Sequence, residues 1–163
     1  MKAAVNQQRS ESSGPEQQLR TFIAKFDPEN QRLIRQVRTA LRKIFPTANE
    51  LVYDNYNFFV IGYSPTERPT DSIISMAANA NGVGLAFPYC GSKLRDPHKL
   101  LQGSGSSNRF IRLPSAAALS RPEVVDLVDA AVALCKPLPP HGKGEVIIRS
   151  ISAKQRPRRK APK

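Results

Sequence analysis

The chain predicts an α+β fold: a two-layer sandwich whose mainly antiparallel sheet of five or six strands carries three helices on one face. Three observations lead there. Residues 15–45 hold two apolar stripes at helical spacing, residues 50–113 turn β-branched and aromatic, and a third helical stripe is followed by the short strand pattern EVIIRSI. Within the middle stretch, an Asn-Gly pair joins two segments, one of whose faces is bulky and apolar and the other small. A sheet covered by helices on one side only produces that contrast.

The elements follow in order. MKAAVNQQRSESS, residues 1–13, is polar and reads as a disordered tail, leaving 14–153 as one domain and 154–163 as a basic, disordered C-terminal tail. Gly14-Pro15-Glu16 starts a helix with proline near the first position, where its missing N–H is harmless. Leu19, Phe22, Ile23 and Phe26 form its apolar face. Asp27-Pro28-Glu29 starts the next, Asp27 as N-cap and Glu29 at the positive end of the helix dipole. Its stripe is Leu33, Ile34, Val37, Leu41, Ile44 and Phe45, ended by Pro46. YDNYNFFVIGY then reads as strand.

Asn81-Gly82 predicts a two-residue hairpin turn. In that register Ala80 faces Val83, Ala78 faces Leu85, Met76 faces Phe87 and Ile74 faces Tyr89 on the bulky side. Asn79–Gly84, Ala77–Ala86 and Ser75–Pro88 make the small side, with Pro88 at a pair that needs no N–H. A strand follows at about 107–113. Ser120 is the expected cap of a helix beginning Arg121-Pro122-Glu123, with Val124, Val125, Leu127, Val128, Ala131, Val132 and Leu134 as its apolar set. KPLPPHGKG connects it to the last strand.

At 163 residues the chain can bury an adequate core without a staple. Its two cysteines, Cys90 and Cys135, lie far apart and read as reduced, small hydrophobes, which suits a cytoplasmic protein. No apolar run has signal-peptide or membrane-spanning length. The net charge of +12 is unevenly spread: 154–163 holds six cations and no acid, and residues 1–13 add one net positive charge, leaving +5 for the body.

LLQGSGSSNRFIRL, Leu100–Leu113, resembles a phosphate loop at first sight. A phosphate cradle needs a fixed glycine-lysine spacing and a helix whose N–H groups face the anion. Here no lysine follows and the next element is a strand, so the glycines read as a bend. Arg109 and Arg112 are three apart on a strand and point to opposite faces. Arg109 is expected at the rim of the helix-covered face, ion-paired with Asp126 or Asp129, and Arg112 on the open face beside Phe110.

No catalytic constellation is recognisable: His98 and His141 both sit in Pro-flanked connections, and no nucleophile has a base beside it. A hard metal ion would prefer oxygen ligands, for which Glu16, or Glu123, Asp126 and Asp129 on the last helix, are the candidates. For nucleic acid the candidates are Arg35, Arg38 and Arg42, with Arg32 in the same row, and Arg156, Arg158, Arg159 and Lys160 in the tail. Stacking surfaces would come from Tyr56, Phe58 and Tyr63.

The succession Pro46-Thr47-Ala48-Asn49-Glu50, Asp96-Pro97, Leu100-Leu101, Gly103-Ser104-Gly105 and Arg109-Phe110-Ile111-Arg112, closed by the Ala-rich helix, resembles the YdhG-like domain family. This widespread bacterial group is largely of unknown function, and the resemblance covers roughly residues 16–135. It implies a frataxin-like α+β sandwich and, for one branch, an intracellular iron chaperone. The chain departs from the family pattern at Ser106, where a basic residue is common, and at Tyr53-Asp54-Asn55-Tyr56, where an aromatic-Gly-x-Pro segment is common.

These readings together predict a cytoplasmic, non-catalytic protein that binds a metal (iron by resemblance), a small ligand or a protein partner. Its ligand residues are expected at Gly103, Gly105, Arg109, Arg112, Tyr53 and Tyr56. A nucleic-acid role through the tail and the arginine row is the alternative.

Overall fold

The computed structural model describes residues 14–162, so the N-terminal tail predicted for 1–13 lies outside the described residues. Helices α1 (Pro15–Ile23) and α2 (Pro28–Ile44) lead into strands β1 (Asn49–Asp54), β2 (Phe59–Ser64), β3 (Ile74–Asn79), β4 (Gly82–Phe87) and β5 (Arg109–Leu113). Helix α3 (Pro122–Leu134) and strand β6 (Val146–Ile151) follow. The sheet order is β5-β4-β3-β2-β1-β6. Every neighbouring pair is antiparallel except β1 and β6, which are parallel. A parallel edge partner requires a crossover, and α3 lies within it. The fold is the expected α+β sandwich.

Among the described residues all three α-helices start on proline, where the lost N–H is one the first turn leaves unbonded in any case. Helix α2 buries Ile34, Val37 and Leu41 completely, but Ile44, at its last position, is 43% exposed. Helix α3 buries Val124, Leu127, Val128 and Ala131, whereas Val125 and Leu134 face outward and leave the predicted core set. Arg121, not Ser120, occupies its N-cap.

Opposite the helices stand Phe59, Ile61 and Tyr63 of β2, Ile74 and Met76 of β3, and Leu85 and Phe87 of β4, all fully buried. The Phe22 and Phe26 rings tilt against Phe59 at centroid distances of 6.2 and 6.0 Å. Removing so large a buried ring costs about 3–5 kcal/mol.

The hairpin register differs from the sequence expectation. Asn79 pairs with Gly82, Ala78 with Val83 and Met76 with Leu85, so the two-residue loop is Ala80-Asn81, one residue earlier than predicted. The Asn79 carboxamide oxygen accepts the Asn81 N–H at 2.9 Å and so closes the corner. The positive φ falls on Gly82 alone, at +135°, rather than on an Asn-Gly pair. Partners move by two positions, so every side chain keeps its face and Met76 and Phe87 still point into the core. Ser75 faces Ala86 in place of Pro88, and Tyr89 is exposed.

The C-terminal segment is the larger correction. Residues 154–162 are not a free basic tail but lie against α1 and the β1–β2 turn. Arg158 is 4% exposed and donates to Asp54 Oδ1 at 3.0 Å and to the Asn55 carbonyl at 2.6 Å. Gln155 donates to the Asp54 carbonyl, Arg159 to the carbonyls of Ala24 and Lys25. The Lys160 N–H reaches the Asp27 carboxylate, which makes no cap bond within its own helix. Among the described residues no helix is long and apolar enough to cross a membrane.

Candidate functional site

Side chains alternate across a pleated sheet, so the face away from the helices can be read from the register. One cross-sheet row runs Phe110, Ala86, Ser75, Gly62, Leu51; the next runs Arg112, Gly84, Ala77, Val60, Tyr53. The middle of both rows is small. No helix covers it, and the result is a groove of about 500 Å³. Its floor is Ser75, Ala77, Gly84 and Ala86, with Val60 and Phe58 on the β2 side and Phe110 on β5. Three strand spacings separate β2 from β5, about 14 Å between the walls. The volume is that of an ordinary small-molecule site, largely apolar with a few polar groups.

Arg112 is the one charged side chain lining this groove among the described residues. Its Nη2 donates to the Asn81 carbonyl at 2.7 Å, which ties the guanidinium to the hairpin corner. Nε and Nη1 have no hydrogen-bond partner among the described residues. A planar guanidinium fixed at one end can take a carboxylate or phosphate oxygen on its free side.

Of the six ligand residues expected from sequence, the structure places Arg112 in the groove wall and Gly103 against its neighbour. A Cβ on Gly103, whose φ is +108°, would lie 3.5 Å from the Phe110 ring. Gln102 pairs with Phe110 across the free edge of β5, so the glycine bend buttresses Phe110. Gly105 and Arg109 are absorbed by the bend itself: Arg109 Nη1 donates to the Gly105 and Asn108 carbonyls at 2.6 and 2.7 Å. Arg109 therefore makes no pair with Asp126 or Asp129. Tyr53 lies on the open face beyond Val60, and burial raises its phenol pKa. Tyr56 sits under the Arg156 guanidinium, 5.7 Å from its ring centre, and belongs to the docked C-terminus. Phe58, expected from sequence only as a stacking surface for nucleic acid, is instead an aromatic wall of this groove; it comes from the β1–β2 turn, and only the sheet order brings it opposite Phe110.

The residues nominated for iron are not gathered into a site. Glu123 pairs with Arg121 at 2.5 Å, and a backbone N–H bond together with that arginine holds its carboxyl below the ordinary value. Asp126 and Asp129 are exposed. Among the described residues no group of three or more His, Cys, Asp or Glu is placed to hold a metal ion.

The nucleic-acid candidates divide. Arg38 is turned inward between Glu16 and Glu50, and Arg42 stands 3.6 Å from Glu50. Burial opposes the charge on Arg38, yet its hydrogen bonds to Glu50 and Glu16 outweigh it and raise its pKa. Arg158 is closed onto Asp54. Arg35 is exposed with a bond to Gln31, and Arg156, Arg159 and Lys160 remain at the surface although each touches the body. Both buried carboxylates, Glu50 and Asp54, lie on the helix side of β1 and organise these cations. Glu16, once an iron candidate, is the outer partner of Arg38.

No family model matches the chain, and neither a curated protein nor a solved structure shows significant similarity to it.

Proposed function

We propose that the protein is a non-catalytic carrier of a small amphiphilic ligand. In this reading the apolar body of the ligand lies over Ala77 and Ala86 between Phe58 and Phe110, and its anionic head meets Arg112. The observation that carries it is the uncovered, small-floored groove with a single cation at its rim. Burying apolar surface there contributes about 25 cal/mol per Å², and the guanidinium selects the head group. The two free cysteines suit a cytoplasmic setting. The iron-chaperone role of one branch of that family finds no support in the arrangement of Glu123, Asp126 and Asp129.

Native mass spectrometry of protein purified from its own host tests the reading, followed by titration with decanoate and decanol as probes. A bound organic mass that is absent from an Ala86→Trp variant is expected, with decanoate bound at least tenfold more tightly than decanol and that preference lost in Arg112→Gln. Binding that survives Ala86→Trp, or a bound metal with no organic ligand, would overturn the proposal.

A further inference from the structure

The C-terminal segment is held to the body without an apolar anchor. From Ser152 to Pro162 only Arg158 is buried; Ala153, Pro157, Ala161 and Pro162 are all exposed. What holds the segment is a row of hydrogen bonds in which it donates and the body accepts. The Ser152 N–H meets the Asp54 carbonyl and the Arg156 N–H the Tyr56 carbonyl, each at 2.9 Å. Arg158 and the Lys160 N–H then reach the carboxylates of Asp54 and Asp27 at 3.0 and 3.1 Å. One contact runs the other way, from Lys25 Nζ to the Gln155 carboxamide oxygen at 3.1 Å. Bonds of this kind, unlike apolar burial, can be exchanged for equivalent bonds to another anion.

Two features favour exchange. Arg158 Nε and Nη1 are buried and have no partner among the described residues. While docked, this guanidinium forgoes hydrogen bonds that it makes to water or to a phosphate. Asp54, the anion it meets, is also held by Lys25 Nζ at 2.6 Å, so the carboxylate keeps a counter-charge when the arginine leaves. Around Arg158, the side chains of Lys154, Arg156, Arg159 and Lys160 are exposed, and none of them forms an ion pair among the described residues.

We propose that residues 152–162 are a releasable strap, and that the phosphate backbone of a nucleic acid is the partner that draws it off the body. The composition of the strap selects that partner. Residues 154–163 hold six cations and no acid, which calls for a polyanion. Arginine forks match phosphate oxygens. The same stretch has no apolar side chain beyond alanine and proline, so it has nothing to insert into a lipid layer. On release, phosphates take the places of Asp54 and Asp27, the idle donors of Arg158 are satisfied, and Lys25 stays on Asp54. Docking and binding compete for the same cations, so a nucleic acid holds the strap only by undoing it. The groove and its ligand play no part in this exchange.

The full chain is titrated with a fluorescent thymidine oligonucleotide about 20 nucleotides long, and binding is followed by anisotropy. Binding is expected, and with six cations each meeting a phosphate it should weaken roughly 300-fold between about 50 and 200 mM salt. Amide hydrogen exchange should show the Arg156 and Lys160 N–H groups exchanging at least about tenfold faster in the complex than in the free protein, with β2 and β3 unchanged. The double variant Arg156→Gln, Arg159→Gln keeps Arg158 on Asp54, and hence the fold, and should bind about tenfold more weakly at the lower salt. No binding at the lower salt, an unchanged affinity in the double variant, or Arg156 and Lys160 amides as protected in the complex as before would overturn the proposal. So would tighter binding to phosphatidylserine vesicles than to the oligonucleotide, which would make a membrane the partner.

Discussion

Replacing Arg38 by methionine should destabilise the protein by about 3 kcal/mol. The guanidinium of this α2 residue makes four hydrogen bonds that join three elements. Nε and Nη2 meet the two Glu50 oxygens of β1 at 2.9 Å each, while Nη1 and Nη2 meet Glu16 of α1 at 2.7 and 3.0 Å. Removing one partner of a buried pair costs about 3–5 kcal/mol, because the other charge stays desolvated. The Glu16 side chain is 43% exposed, so its share is under about 1 kcal/mol. Arg42 and the Tyr63 hydroxyl remain near Glu50 and hold the total toward the lower end. Methionine preserves the aliphatic stem, so little packing is lost. Urea unfolding followed by circular dichroism should show a lower midpoint with unchanged slope, and the melting temperature should fall by roughly 6–12 °C. The hydrogen bond from Arg38 is the main cause of the lowered pKa of Glu16, whose ordinary value is 4.5. A carboxyl with a depressed folded pKa stabilises above its unfolded pKa and loses that contribution as pH falls through the folded one. The drop in stability below about pH 4.5 should therefore be shallower in the variant. Adding Glu50→Gln to Arg38→Met should recover at least about 1 kcal/mol, since no orphaned charge remains. A loss below about 1 kcal/mol from Arg38→Met alone would refute the argument.

Three further outcomes are expected. Ending the chain after Ala153 removes Arg158 from Asp54 and should destabilise by about 2 kcal/mol, because Lys25 at 2.6 Å still partners that carboxylate; urea midpoints that match would show that the docked segment contributes nothing. Burial, and then Glu50, raise the Tyr63 phenol pKa well above 10.0. A group whose folded pKa is raised stabilises below its unfolded pKa and loses this as pH climbs. Melting temperature should thus fall steeply above about pH 10, less so in Tyr63→Phe, and parallel alkaline curves would contradict it. Gly144→Ala would place a Cβ on the Ala48 carbonyl oxygen, a backbone atom that cannot swing aside. It should cost on the order of 3 kcal/mol by urea unfolding, and wild-type stability would show that the 144–146 approach to β1 is not tight.

The sequence by itself determined the two layers. Period-3.6 stripes and period-2 alternation state which side of each element is buried, and the contrast between Met76 and Ala77, or Leu85 and Ala86, already implied a sheet covered on one face. Periodicity reports burial but not partners. Register turned on a single carboxamide, that of Asn79, whose bond to the Asn81 N–H moved the hairpin corner by one residue. Phe58 came opposite Phe110 only because the strand order set distant segments side by side.

The charges were the least legible. Arg158 and Asp54 stand more than a hundred positions apart, and nothing local to a run of basic residues says that one of them will enter the protein. A cation in a polar segment reads as solvated until a desolvated carboxylate is found within reach, and Asp54 acquires that character only when α1, β1 and the C-terminus converge on it. Electrostatic pairing is a property of distance in space and of the water excluded there, and both exist only once the chain has folded.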